Sequence, residues 1–552
     1  MGYSVFPSSS GGAVPRVYKE QIFNSSGTWT YPTSTNFTGE VEVTVVGGGG
    51  SGGGWNANGA YNYQLFTGGG AGGQVLSKER ISVYGKGNQT VIVGAGGTSC
   101  GSGTISSLPT MPGGDSYFGN YTAANAIYDP ELRNGGIWYF TGPSAGNVTT
   151  ADMYSASYNN TTQPAYVSSD STSLGIASYF GNGFILSSQG STVKYQNYFN
   201  EPSQIKSSTS YVFGFYSAFT TGVTGIDYAA YVDFYDINGA ITTSQTINAS
   251  FTPTSSWAKV SATLTTGASD VYARFRWTNN TTSNANIVIC GLFAAETASG
   301  VTEPVSGNTA GYKWTSTQSF SPTVTSGTPL LYALGGTGGE GGYVWTGPNQ
   351  KTIASWTKYN GGGYSLKGTT GAGYWNTAGH GGGSGGPAIE GKVHGNAAST
   401  VTTLSIVSTS VPVGDSSSLN ARAMKSRTST TGGGYAGSSG KGFYSPSGRP
   451  QDFDYGANGL PKDNYGAGGL GGYQGPASQY VTRQANGGVI DYWSTNQVSS
   501  TYPTPSLQYG YLFNGKPNTG MGGNGIYINP NGAGQYPAGY GGSGIVIVRW
   551  YE

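Results

Sequence analysis

The stretch Val41–Trp55, VEVTVVGGGGSGGGW, puts two opposed instructions side by side. Val41, Val43 and Val45 alternate with Glu42 and Thr44, the pattern of a half-buried strand. Seven of the next eight residues, Gly47 to Gly54, are glycine, which has no side chain to bury and is entropically costly to order. Strong strands must therefore run directly into backbone that cannot build an ordinary side-chain core.

Three readings compete for such a block. A dinucleotide-binding turn needs a helix after the glycines, with its N-terminus facing the pyrophosphate; SGGGWNANGAYNYQ is no helix and no parallel βαβ series follows. A flexible linker would lack the interspersed strands and aromatics. The third reading is packed backbone. Extended left-handed helices with three residues per turn make no internal hydrogen bonds, so without Cβ atoms they can approach closely and bond to one another. Clusters such as GGTGGEGG and GAGGLGGYQG suit it, with Tyr343, Trp345, Tyr435, Tyr465 and Tyr473 at their edges as caps or as displayed side chains.

Composition narrows the class. The 552 residues include 97 Gly, 42 Tyr and 11 Trp, with only 9% charged, which argues against disorder. No Gly-X-Y period runs through the chain, so it is not collagen. A formal net charge of +1 offers no basic field for nucleic acid and no polybasic membrane patch. Solubility then rests on neutral hydroxyls and amides, a surface suited to sugars. Cys100 and Cys290 are too few for a disulfide framework. No run of about 18 apolar residues is present, so membrane insertion is not expected, and MGYSVFPSSSGG does not read as a signal peptide.

Helix signals are nearly absent, and the expected fold class is all-β: a glycine-rich β and polyglycine-II-like body plus a β-sandwich, with very little helix. An N-terminal arm (1–15) precedes a first glycine-rich zone (16–126). Residues 127–305 lose the glycine blocks and read as an inserted sandwich, and 306–552 return to them, ending in GGSGIVIVRWYE. The third zone echoes the order of the first, as in a diverged repeat. Alternatively the two zones form one discontinuous domain, since one closing strand, 545–550, is visible. Its glycines come before the strand where those of Val41–Trp55 come after, which lets Val41–Val46 pair with Ile545–Trp550.

In the middle zone, AYVDFYD puts Ala230, Val232 and Phe234 on one face and Tyr231, Asp233 and Tyr235 on the other. VYARFRW likewise puts Val271, Ala273, Phe275 and Trp277 inward, with Tyr272, Arg274 and Arg276 outward. DINGA reads as a hairpin turn, Trp257 as a core anchor at a strand start, and Trp138 and Tyr139 as residues near the entry of the sandwich.

The order GTWTYP, VEVTVVGGGGSGGG, GGGAGGQV, TVIVGAGG, GGDSYFGN and the terminal GGSGIVIVRWYE resembles the glycine-rich domains of bacteriophage tail fibres and virion appendages. The order SSTSYVFGFYSAF, YVDFYDINGA, SSWAKVSATLT, DVYARFRW and IVICGLFAAE resembles the jelly-roll carbohydrate-binding modules. The first resemblance implies a rigid body within a virion and attachment to a host surface. The second implies stacking of a sugar on exposed aromatics, with Tyr231, Asp233, Tyr235, Tyr272, Arg274 and Arg276 as candidate carbohydrate-binding residues. The competing reading of that face is that it is solvated or packs on the glycine-rich body. Expected partners are a host cell-surface glycan and other virion proteins, with a homotrimer implied by fibre analogy alone. A capsid or tail appendage of mainly structural role and a polysaccharide-degrading spike are the alternatives.

No catalytic residues and no metal ligands are assigned. His380 and His394 lack the spacing of a zinc site, no strand-to-helix nucleophile elbow stands out, and no carboxylate pair is marked by context. No cofactor is expected, beyond a structural calcium ion that a jelly roll allows. The expectation is a non-enzymatic virion protein.

Overall fold

The computed structural model describes most of residues 16–98, 111–131, 203–316, 321–336 and 539–552. Short segments at 166–167, 183–188, 196–198 and 365–368, Tyr465, and parts of 514–536 are also described. Among the described residues the secondary structure is almost wholly antiparallel β, the one helical turn being Thr297–Ser299. No described helix is long and apolar enough to cross a membrane.

The valine strand Glu40–Val46 pairs with the C-terminal strand Ile545–Tyr551 in the expected sense, Val46 opposite Ile545 and Val43 opposite Val548. Tyr18–Phe23 and Val75–Ser82 complete that four-stranded sheet, on the far sides of Ile545–Tyr551 and Glu40–Val46 respectively. A second sheet runs Gly27–Trp29, Gln89–Ile92, Ser116–Phe118, Leu331–Ala333. Between the two sheets lie Phe23, Trp29, Val41, Val43, Val45, Val91, Phe118, Val546 and Val548, all buried. The alternation of valines in the sequence is this buried face, and strands from both glycine-rich zones share each sheet.

Where the valines stop, the core continues without side chains. The 47–52 segment donates from Gly47 to Gln74 O, from Gly48 to Gly114 O and from Gly49 to Gly542 O, at 2.8–2.9 Å. Three residues on, Ser51 donates to Met111 O and Gly52 to Gly539 O, returning to the segments reached by Gly48 and Gly49. That three-residue repeat is the period of the polyproline-II conformation. Its carbonyls accept in turn from Gly336 (at Gly48), Gly97 (at Gly49) and Gly523 (at Gly50).

The segments around 70–74, 94–97, 111–115, 334–336, 520–523 and 539–544 thus ring the central one. They also bond to each other: Gln74 to Leu334 O, Gly113 to Gly336 O, Gly114 to Ala95 O, Gly541 to Gly97 O, Gly520 to Ser543 O and Gly73 to Gly520 O. The ring is closed. Its members are the direct continuations of strands in both sheets, apart from 520–523. Glycine is required because the backbones touch: a Cβ on Gly335 would lie 1.8 Å from Gly113 O, and one on Gly541 1.8 Å from Gly49 O. Tyr465 packs against Val46, Val75, Ile545 and Ile547, covering the outer face of the first sheet where it enters the bundle.

The middle zone is a two-sheet sandwich. One sheet orders Tyr166–Val167, Gly183–Ser188, Ala285–Glu296, Ser210–Gly222, Ala258–Thr265; the other orders Gln196–Tyr198, Tyr272–Asn279, Tyr228–Tyr235, Ile241–Phe251. Phe213, Phe215, Val232, Phe234, Phe275, Trp277, Ile287 and Ile289 fill the space between them. Ala123 and Ala126, upstream of the expected boundary at 126/127, belong to the same core. Buried Asn125 fixes that entry, donating to Leu292 O and Val305 O and accepting from Ala294 N. Trp257 precedes Ala258–Thr265 and is half-buried rather than a fully enclosed anchor.

Candidate functional site

Period-two alternation places the six candidate residues on one face of the sheet holding Tyr228–Tyr235 and Tyr272–Asn279, in three cross-strand pairs: Tyr231 with Arg276, Asp233 with Arg274, Tyr235 with Tyr272. The opposite face carries Ala230, Val232, Phe234, Ala273, Phe275 and Trp277 into the core, as expected. Val271 departs from this pattern and packs with Tyr235 and Tyr272 instead.

The face is not uniformly open. At one end Tyr235 and Tyr272 are buried with Met111, flanked by Ile237 and Ile241, and the Tyr272 hydroxyl donates to Pro112 O at 3.4 Å. Met111 and Pro112 belong to the glycine-rich body, so this end is a joint rather than an open sugar platform. Burial, and secondarily the Asp115 charge, push the Tyr272 phenol well above its usual range. Asp115 anchors the same joint: it accepts from the Tyr128 and Tyr332 hydroxyls at 2.5 and 2.7 Å and from Gly335 N at 2.7 Å, while its own N–H donates to Gln204 Oε1 at 2.6 Å. Sequence reasoning missed Asp115, which nothing local marks out.

In the middle, Asp233 and Arg274 lie on the expected face but are buried at 1% and 3% exposure, so neither is an exposed sugar-binding side chain. At the other end Tyr231 and Arg276 reach the surface, each half-buried. Arg276 grips Asp233 with two bonds, Nε to Oδ2 at 2.7 Å and Nη2 to Oδ1 at 3.0 Å, the geometry of a bidentate guanidinium–carboxylate pair. The Ser244 hydroxyl donates to Asp233 Oδ1 at 2.6 Å and accepts from Arg276 Nη2 at 2.7 Å.

The guanidinium also lies 4.3 Å over the Tyr231 ring, a cation–π contact. The result is a braced aromatic beside a satisfied ion pair, bordered by exposed Ser244 and Thr246 on the neighbouring strand. Ser244 escaped sequence reasoning for a definite reason. The DINGA hairpin forms as expected, with Asp236 Oδ1 accepting from Asn238 N and Ala240 N. A register shift next to it, between Phe234 and Tyr235, then places Ser244 rather than Thr243 opposite Asp233.

Cys290 is buried, and burial raises its thiol to about 12. Among the described residues no cluster of three or more His, Cys, Asp or Glu forms a metal site. Cys100, His380, His394, Trp138, Tyr139, Tyr343, Trp345, Tyr435 and Tyr473 lie outside the described residues.

A family model described as a glycine-rich domain matches residues 24–230. No curated protein matches the chain. Among solved structures, the enzymatically active domain of a tailspike of bacteriophage CBA120 is similar at 10% identity and a TM-score of 0.23, over 31% of this chain and 21% of that one. A family 16 carbohydrate-binding module is similar at 18% identity and a TM-score of 0.19, over 31% of this chain and all of the module. A family 11 carbohydrate-binding module of a cellulosomal cellulase of Clostridium thermocellum is similar at 12% identity and 0.18, over 24% of this chain and 81% of that one.

Proposed function

We propose that this protein is a non-enzymatic component of a bacteriophage virion appendage, a fibre or fibre tip, that attaches to a host-surface glycan through its β-sandwich. The observation that carries the reading is the Tyr231–Arg276–Asp233–Ser244 group, an aromatic ring held in place by a charge pair at the surface end of a sheet. Sugar recognition asks for an oriented ring to stack on and fixed polar groups beside it. The glycine-rich bundle supports the same reading from the other side: it is a carrier held mainly by backbone hydrogen bonds, to which the sandwich is joined through Met111, Pro112 and Asp115. The resemblance of the chain order to virion glycine-rich domains supplies the setting.

The test is binding of the full chain to an array of bacterial surface glycans, followed by blocking of phage adsorption with excess protein. Tyr231→Ala is expected to weaken glycan binding at least about ten-fold, ~1.4 kcal/mol, with little change in melting temperature. An array without binders, or a Tyr231→Ala protein that binds as well as the parent, rules the site out. Release of reducing sugar ends from host polysaccharide would overturn the non-enzymatic part.

A further inference from the structure

Among the described residues, the four-stranded sheet of the body ends in two unlike edges. Val75–Ser82 is guarded: a register shift falls opposite Val43 and Val45, Lys78 sits at a φ of 57°, and charged Lys78 and Arg80 stand exposed. Such bulges and charges are how edge strands avoid further pairing. Tyr18–Phe23 has neither a bulge nor a residue at positive φ, and its two charges are paired within the sheet, Lys19 with Glu552 and Glu20 with Arg549. Its register with Ile545–Tyr551 is unbroken over six residues, it contains no proline, and every residue but Phe23 is exposed. Tyr18 and Ile22 are 50% and 53% exposed, beside Tyr551 at 50%.

The hydrogen-bonding parity of this edge is fixed. Val17 and Glu552 exchange both bonds, Val17 N to Glu552 O at 2.6 Å and Glu552 N to Val17 O at 3.0 Å. In an antiparallel ladder such pairs alternate. Lys19, Gln21 and Phe23 therefore direct their backbone groups to Ile545–Tyr551, and Tyr18, Glu20 and Ile22 turn theirs to the open side.

We propose that this edge pairs with the same edge of a second copy of the chain, antiparallel and about a two-fold axis at Glu20, continuing the sheet across a dimer. A head-to-tail arrangement would need the second, guarded edge of the sheet, whereas self-pairing needs this one alone. The side chains match under that symmetry. Tyr18 of each copy meets Ile22 of the other, covering the exposed apolar pair twice. At the centre the two Glu20 carboxylates come together already neutralised, because each accepts from its own Arg549 Nε at 2.6 Å. Arg549 in turn lies 3.6 Å from Glu42, so the guanidiniums are held beside the axis.

Sedimentation velocity over about 1–100 μM tests the arrangement. The parent chain is expected to be dimeric at the upper end. Ile22→Pro removes an N–H from the open side only and leaves the bonds to Ile545–Tyr551 in place. Ile22→Lys adds an edge charge of the kind that guards Val75–Ser82. Both are expected to be monomeric, with melting curves like that of the dissociated parent. If Ile22→Pro fails to fold, Ile22→Lys decides. A parent monomeric at every concentration, a trimer, or an oligomer that survives both substitutions overturns the proposal. Glycan binding by Tyr231 is untouched by either outcome.

Discussion

Gly48→Ala should remove much of the stability of the body, whereas Gly27→Ala should change it by no more than about 0.5 kcal/mol. Gly48 lies in the central segment of the glycine bundle. Its N–H donates to Gly114 O and its carbonyl accepts from Gly336 N, both at 2.8 Å. An added methyl would lie 2.0 Å from Ala95 O, 2.8 Å from Ala95 C and 3.1 Å from Gly94 O. All three are backbone atoms, so no side chain can swing aside. Relief requires one segment to move away from another, which breaks bonds that have no water to replace them.

Overpacking an ordinary core costs about 1–3 kcal/mol, and each buried backbone group left unmade adds about 1–3 kcal/mol. With one such group lost the sum is about 2–6 kcal/mol, a large part of the roughly 5–15 kcal/mol by which a domain is stable. At Gly27 the same methyl meets only the Phe23 ring, at 3.6 Å, an ordinary contact. Urea unfolding followed by far-UV circular dichroism separates the two cases. Equal midpoints for both variants would mean that the bundle yields where its close contacts say it cannot.

What could be read from the sequence divides along the same physical line. Period-two alternation is a local property, so Val41–Val46 declared its buried face, and the six candidate residues declared that they share one. The reversed order of strand and glycine at the two ends was enough to anticipate the pairing of Glu40–Val46 with Ile545–Tyr551. Glycine blocks likewise announced close backbone approach.

The ring order of the segments around 47–52 was not legible, because a glycine carries no side chain to specify its neighbour; for every segment but 520–523 the adjoining strand does so instead. Nor does alternation say what covers a face. Tyr235 and Tyr272 look like Tyr231 in sequence, yet Met111 and Pro112, from a distant segment, bury them. Single residues fixed the rest, as when Asn125 bonds to Leu292, Ala294 and Val305 and draws Ala123 and Ala126 into the sandwich core.

The second large effect falls on the surface end of the candidate face. Arg276→Ala should cost about 3–5 kcal/mol, the usual consequence of removing one partner from a buried pair. The Asp233 side chain is 1% exposed and that of Arg276 12%, so the abandoned carboxylate keeps the Ser244 hydroxyl as a donor but loses both guanidinium bonds. Removing both partners takes away the orphaned charge. Asp233→Ala combined with Arg276→Ala should therefore be less damaging than the two single changes added together.

The same cycle separates scaffold from ligand contact. Arg276 braces the Tyr231 ring from one side, so Arg276→Ala should lower both stability and glycan affinity, while Tyr231→Ala should lower affinity alone. Thermal unfolding of the four proteins of the cycle, beside binding by the same four and by Tyr231→Ala, gives both readouts. A cost below about 1 kcal/mol for Arg276→Ala, or strict additivity in the double variant, would show that the pair does not hold the face. Tyr231 would then have to be oriented by something other than the guanidinium above it.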